Sequence, residues 1–208
     1  MKLTSRAFDS DQRIPDEYCF GNPSSSDHIQ LGANRNPDLA WTDVPAAARS
    51  LVLICVDVDV PTSGEDVNQE GRAVPASLPR ADFYHWVMVD LPATAGSIAK
   101  AACADGITER GKQNPPGPAG SRQGINDYTS WFAGDPDMSG NYFGYDGPCP
   151  PWNDELLHHY HFVLYATDLE TVPVSGTFGG ADVMQAIQGH IVAEARLVGT
   201  YSLNPDVS

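Results

Sequence analysis

The sequence predicts a mainly β protein of the α+β type, built from a few long strands, long irregular loops and one helix near the C-terminus. Two segments carry the β prediction, SLVLICVDVDV from Ser50 and FYHWVMVDL from Phe83. Both are runs of apolar, β-branched and aromatic residues of the kind that pack on a pleated surface. A third, His158 to Ala166, has the same composition, and a period of two divides it into two faces. The helix is expected late: Met184, Ile187, Ile191, Ala195 and Val198 recur at helical spacing, with Asp182 placed to cap the start and Gly199 to stop the end. TYSLNP then reads as a short final strand ended by Pro205.

The 208 residues, 41% hydrophobic and 19% charged, suit one globular domain spanning 1–208 with an adequate core. A net charge of -15 argues against nucleic acid and anionic membrane surfaces, since both are met by basic patches. It leaves room for a small anion held by local donors inside a pocket. The N-terminal MKLTSRAFDSDQRIP has no apolar run of a secretory signal, and no stretch reaches the ~20 apolar residues of a membrane span. A cytoplasmic protein with no integral membrane association is therefore expected. Cys19, Cys55, Cys103 and Cys149 lie at wide, irregular spacings without C-x-x-C, so free structural thiols are expected.

In order along the chain, Asn22 to His28 is a polar loop, and Gly32 to Pro45 is a turn-rich connection anchored by Leu39 and Trp41. The Ser50 segment is apolar on both faces until Asp57, as in a central strand covered on each side. Alternation places Leu51, Leu53, Cys55, Asp57 and Asp59 on one face. Both carboxylates should then leave the sheet together, close enough for one to raise the other's pKa. The Val60–Pro61 bond is expected to be cis, as suits a sharp exit beside a pocket.

Residues 62 to 82 form a polar excursion longer than a hairpin loop needs, placed to cover or rim a pocket. In the next strand His85, Val87 and Val89 share a face, with Trp86 and Met88 opposite. From Ala93 to Asp137 the hydrophobic period is lost. Tyr128, Trp131 and Phe132 nevertheless predict an ordered excursion that buries apolar area.

The densest information lies between Asn141 and Asp168, NYFGYDGPCPPWNDELLHHYHFVLYATD. Gly144, Gly147, Pro148, Pro150 and Pro151 specify an irregular, stiff loop. The strand that follows places His158, Tyr160, Phe162 and Leu164 on one face and His159, His161, Val163 and Tyr165 on the other. A rigid loop thus feeds two polar side chains, His158 and Tyr160, into the mouth of an apolar strand face, a suitable construction for a binding site.

Together with DVDVP at Asp57 to Pro61 and HWV at His85 to Val87, the GPCPP loop and the His158-x-Tyr160 strand start resemble the phosphatidylethanolamine-binding protein family. The likeness is strongest to its bacterial Raf-kinase-inhibitor-like branch. SRAF near the N-terminus, IPDEY and NPDLAW at Asn36 to Trp41 extend it over nearly the whole chain. Two positions depart from the pattern: Val58 stands where the family usually has proline, and His159 where it often has arginine. The resemblance implies a large central antiparallel sheet packed on a smaller one. It also implies a single anion-binding pocket in which Asp57, Asp59, His85, Gly147, Pro148, Cys149, His158 and Tyr160 bind ligand.

Chemically, His85, His158 and Tyr160 offer donors, and the loop at Tyr145 to Cys149 offers backbone N–H groups suited to an oxyanion. The two aspartates repel such a ligand unless a proton or an imidazolium stands between. A binding or regulatory module for a phosphate-, sulfate- or carboxylate-bearing ligand ranks first. The alternative is an enzyme using His and Asp for general acid–base chemistry in the same pocket. Catalysis ranks lower because no activated nucleophile is evident: there is no G-x-S-x-G, and Cys149 reads as a small hydrophobe. A metal site from Asp57, Asp59, His85 and His158 ranks third, and no cofactor is expected. Members of the branch often form homodimers, although no stretch here marks an interface for a second copy or any other protein partner.

Overall fold

The computed structural model describes residues 1–207. Its strands are β1 (Lys2–Thr4), β2 (Gln12–Arg13), β3 (Gly21–Ser24), β4 (His28–Leu31), β5 (Leu39–Thr42), β6 (Ser50–Pro61), β7 (Arg80–Pro92), β8 (Gly96–Ile98), β9 (Arg122–Gln123), β10 (His158–Thr167) and β11 (Ile191–Tyr201). Two short helices, α1 (Tyr128–Trp131) and α2 (Gly180–Ala186), join them. A six-stranded sheet in the order β2-β11-β10-β6-β7-β9 is antiparallel throughout except for the β2–β11 pair. A three-stranded sheet, β1-β5-β8, and the hairpin β3-β4 complete the fold.

Apolar patterning explains the layers. On one face of the large sheet Leu51, Leu53, Trp86, Met88, Phe162 and Leu164 pack with Leu3, Leu39, Trp41 and Ile98 of the small sheet. On the other, Val52, Ile54, Val87, Val89 and Val163 pack with Val172, Phe178, Val183 and Ile187 of the α2 region. Strands β6, β7 and β10 read as apolar on both faces because both are covered. Cys19, Cys55 and Cys103 are buried, Cys149 is half-buried and all four are free thiols. Among the described residues no helix is long and apolar enough to cross a membrane.

Four expectations fail here for identifiable reasons. The late helix ends at Ala186, and Gly189, at φ 82°, turns the chain into β11. Ile187, Ile191, Ala195 and Val198 fit a helical spacing, but the same stretch also alternates, with Ala195 and Leu197 buried and Glu194 and Arg196 exposed. Pairing with β10 from Ile191 to Tyr201 selects the period of two. Thr200 and Tyr201 therefore end β11 and form no separate strand. At the helix start Gly179 is the cap, and Asp182 lies inside the first turn with its carboxylate accepting the Gly179 N–H at 2.8 Å. Finally, no cis peptide occurs among the described residues: Val60 and Pro61 continue β6 opposite Ala81 and Arg80, so the chain makes no sharp exit there.

Close approach of layers fixes Gly199 in β11. A Cβ there would lie 2.4 Å from Ile14 Cγ1 and 2.8 Å from the Phe8 ring, and Phe8 and Ile14 are both buried. Gly199→Ala is therefore expected to overpack the core and lower unfolding free energy by about 1–3 kcal/mol in urea titrations. A change below about 0.5 kcal/mol would show that the β2 side yields freely.

Candidate functional site

The polar floor of the site is assembled by three strands. Tyr160 lies opposite Asp57 in the β10–β6 register, and Asp57 lies opposite Phe83 in the β6–β7 register. His85, two residues further along β7, brings its ring centroid to 5.2 Å from Tyr160, edge to face. His158 Nδ1 donates to Asp57 Oδ2 at 2.7 Å, and its Nε2 donates to Asp154 Oδ2 at 3.1 Å. Arg80 clamps the Asp154 carboxylate with two bonds, 2.6 and 3.0 Å. All three acidic and imidazole side chains of this chain of contacts are buried.

Asp59 goes elsewhere. A β-bulge between Asp57 and Val60 breaks the alternation that would have kept the two carboxylates on one face. Asp59 instead accepts from the N–H and Nδ1 of His159, both at 2.8 Å, and it does not line the cavity. The expected close pair of carboxylates at one strand end is thereby replaced by two separate Asp–His pairs.

Charge on the floor is balanced. Burial pulls the His158 pKa down, but the charge of Asp57 and the bonds to Asp154 and Asp57 outweigh it and lift the group to about 9. Asp154, which burial alone would raise, is held below the usual range by His158 and Arg80. Two carboxylates are thus matched by one imidazolium and one guanidinium. His85 behaves oppositely: burial lowers it, and the charge of Asp57 and the bond to the Asp146 carbonyl offset this only in part. Its Nδ1–H donates to that carbonyl at 2.8 Å, which leaves Nε2 without a protein partner and with its lone pair free. The Tyr160 hydroxyl is buried and makes no hydrogen bond.

The glycine- and proline-rich loop is held from behind. Asp146 accepts from Lys112 Nζ at 2.5 Å, Asn34 at 2.7 Å and Asn126 at 2.8 Å. The Gly147 N–H donates to Asn34 Oδ1 at 2.8 Å, and a Cβ at Gly147 would lie 2.0 Å from the Tyr18 carbonyl oxygen. The Pro148 carbonyl accepts from the N–H groups of Phe20 and Gly21. Gly147 and Pro148 therefore form the wall's backing, while Cys149, Pro150 and Pro151 face the cavity. The Asp146 and Gly147 N–H groups are consumed by the framework and are not free for a ligand. Burial pushes the Cys149 thiol up to about 12, as befits an inert side chain.

Asp57, His85, Cys149, His158 and Tyr160 line one cavity of about 290 Å³. Its walls are largely apolar: Phe20, Phe83, Tyr128 and Phe132, which belong to one apolar cluster, and Ile29 and Leu31 of β4. Val67 and Asn68 of the 62–79 loop form part of the rim. Trp131 and Leu31 stand at the mouth, 52% and 69% exposed, so Trp131 does not bury the area its type suggested. Sequence reasoning missed this aromatic mouth because its residues come from loops without period. It also missed Arg80 and Asp154, which meet across 74 positions of chain.

The raised His158 pKa has a defined consequence for stability. The folded value of about 9 lies above the unfolded value near ~6.5, so the stabilisation is fully present below ~6.5 and is lost as pH rises through about 9. Urea unfolding should show a loss on the order of 3 kcal/mol across that window. His158→Gln should be less stable at pH 6.5 and should lack most of the slope. An unchanged slope in that variant would assign the titration to other groups.

Comparison with known proteins agrees with the fold. The family model described as phosphatidylethanolamine-binding protein matches residues 4–202. A UPF0098 protein of Methanothermobacter thermautotrophicus is 32% identical over 203 residues, covering 97% of this chain and 98% of the relative. The UPF0098 protein YbhB of Escherichia coli is 28% identical, covering 97% and 100%. The crystal structure of E. coli YbcL, described as a new member of the mammalian PEBP family, superposes with a TM-score of 0.68 at 24% identity and 97% coverage of both chains. That of CT736 from Chlamydia trachomatis, a putative PEBP homolog, does so with a TM-score of 0.63 at 28% identity, covering 97% and 96%. With its His-Trp pair, GPCPP loop and His-x-Tyr strand start set around one cavity, this chain belongs to the phosphatidylethanolamine-binding protein family, in its bacterial YbhB/YbcL branch.

Proposed function

We propose that the protein binds a small ligand through a phosphate, sulfate or carboxylate group at the Tyr160–His85 floor, in a binding or regulatory role. The observation that carries this reading is the buried Tyr160 hydroxyl without a partner, which lines one cavity together with His85, whose Nε2 makes no hydrogen bond to the protein. A buried polar atom without a partner is costly, and a ligand that supplies the partner recovers that cost. A cavity of about 290 Å³ suits a head group or a ligand of few heavy atoms.

The electrostatics dictate how an anion enters. His158 already carries a proton, and both its ring nitrogens are spent on carboxylates, so it serves as counter-charge to Asp57 and Asp154. The floor is neutral, and an entering anion brings uncompensated charge. One proton balances a monoanion and halves the charge of a phosphate dianion; it sits either on His85 Nε2, which then donates to the ligand, or on the ligand's own acidic oxygen, which donates to Nε2. Tyr160 O–H supplies the second bond. Both routes take up one proton on binding.

An enzyme reading rests on one feature, the neutral His85 with a free Nε2, which is the form a general base requires. It lacks a second catalytic group: His158 is saturated, and the Cys149 thiol is held at about 12. Binding is therefore the stronger conclusion.

Calorimetry with phenyl phosphate in buffers of different ionisation enthalpy should show uptake of one proton. Affinity should rise as pH falls, up to roughly tenfold per unit until His85 is protonated in the free protein. Tyr160→Phe should weaken binding by about tenfold, the cost of one lost hydrogen bond to a charged group. Flat affinity from about pH 5.5 to 8 with no proton uptake would rule out the proton-balanced site.

A further inference from the structure

The cavity floor offers a ligand one hydrogen-bond acceptor, one donor and no unmatched charge. The Asp146 carbonyl can only accept, so the His85 Nδ1 bonded to it at 2.8 Å carries the proton and Nε2 is left as an acceptor. The Tyr160 hydroxyl, buried and without a partner, is left as a donor. Their rings meet edge to face, centroids 5.2 Å apart. Among the described residues no lysine or arginine lines the cavity. Its charged lining groups, Asp57 and His158, are bonded to each other, and the second oxygen of Asp57 accepts the Asp59 N–H at 2.9 Å. An anion that enters meets no free cation, and Asp57 repels it.

We infer that the same floor accepts a second ligand class, neutral carboxamides carried on a flat aromatic ring, with the amide N–H donating to His85 Nε2 and the carbonyl accepting from Tyr160 O–H. This rests on the proposed function only in taking Tyr160 and His85 as the groups that meet the ligand. A carboxamide holds donor and acceptor on one carbon and brings no charge to be balanced. Asp57, unfavourable to an anion, favours the positive edge of an amide NH2. The ring follows from the walls. Phe20, Tyr128 and Phe132 form a stack with successive centroids 4.6 and 5.6 Å apart and planes within 19°. Phe83 stands edge-on to Tyr128 at 5.2 Å. Such an array gives a flat ring both faces and edges to pack against, and about 290 Å³ holds one ring with its amide.

The two ligand classes differ in their response to pH. His85 is faced by Asp57 of β6, His158 and Tyr160 of β10, Tyr128 of α1 and the Asp146 loop. Burial raises both phenols well above their ordinary value, and His158 is lifted to about 9, so His85 is the imidazole that changes state nearer neutrality. Where His85 is neutral, a carboxamide binds without taking up a proton, whereas an anion requires one.

Proton–nitrogen NMR titration of the full chain with benzamide measures the affinity, expected at a Kd on the order of 0.1–1 mM for so small a ligand. Phenyl phosphate should displace it. Between about pH 6.5 and 8 the benzamide affinity should stay within about twofold. Acetophenone has the same shape with a methyl in place of NH2, and it should bind at least about fivefold more weakly. Cyclohexanecarboxamide keeps the amide without the flat ring, and it should bind at least about threefold more weakly. Tyr160→Phe should weaken benzamide about fivefold, and its urea unfolding, undiminished because the lost hydroxyl had no partner, separates a lost bond from a lost fold. No benzamide binding up to about 10 mM while phenyl phosphate binds with proton uptake would overturn this inference and leave the anion reading standing. Equal affinity for acetophenone or cyclohexanecarboxamide, or benzamide that phenyl phosphate binds beside without displacing, would overturn it as well. Benzamide bound at flat affinity and weakened by Tyr160→Phe, with phenyl phosphate not bound at all, would uphold the carboxamide and overturn the anion.

Discussion

The site depends on one buried imidazolium. His158 sits between Asp57 and Asp154 with a short bond to each, and Arg80 completes the series from the far side. Remove the proton from His158 and two buried carboxylates face a neutral ring with a single N–H to share. Removing a carboxylate instead leaves a buried cation short of its partner, an expensive state in a low-dielectric interior. The arrangement holds because each charge is matched within hydrogen-bond distance. It also links β6, β7, β10 and the loop before β10 at one point, which is why the cavity floor is rigid.

Rigidity at the floor divides the labour between the two histidines. His158, lifted to about 9, is a fixed charge, whereas His85, lowered by burial and held by the Asp146 carbonyl, is the group that can change state. The Asp146 carboxylate, gripped by Lys112, Asn34 and Asn126, keeps that carbonyl in place. Around this floor the walls are largely aromatic and aliphatic, and such low-dielectric surroundings strengthen any hydrogen bond made by Tyr160 or His85 to a ligand.

Much of this was legible in the sequence, and the losses have physical causes. Strands β6, β7 and β10 are readable because burial on both faces leaves the runs Leu51 to Val56, Trp86 to Val89 and Phe162 to Ala166 free of charged residues and imidazoles, and Asp57, His85, His158 and Tyr160 stand beside those runs. Asp59 was misplaced because a bulge leaves no mark on the side-chain pattern. Gly147 and Pro148 belong to the loop as expected, yet they serve as backing because their backbone groups are used on the outer side. The stretch from Ile187 to Val198 satisfies two periods at once, and only the neighbouring strand decides between them. Arg80 and Asp154, and the aromatic mouth, arise from contacts between distant loops that no local period encodes.

The central claim is that a ligand's anionic group is balanced by a proton at His85 while His158 stays unchanged. Long-range proton–nitrogen NMR of the two imidazoles, during titration with phenyl phosphate near pH 7, tests it most directly. Before ligand, His158 should show two protonated nitrogens and His85 one, at Nδ1. On saturation the His85 Nε2 resonance should move toward the protonated or strongly hydrogen-bonded range, with His158 unmoved. A ligand that binds while shifting His158 and leaving His85 Nε2 in place would contradict the account.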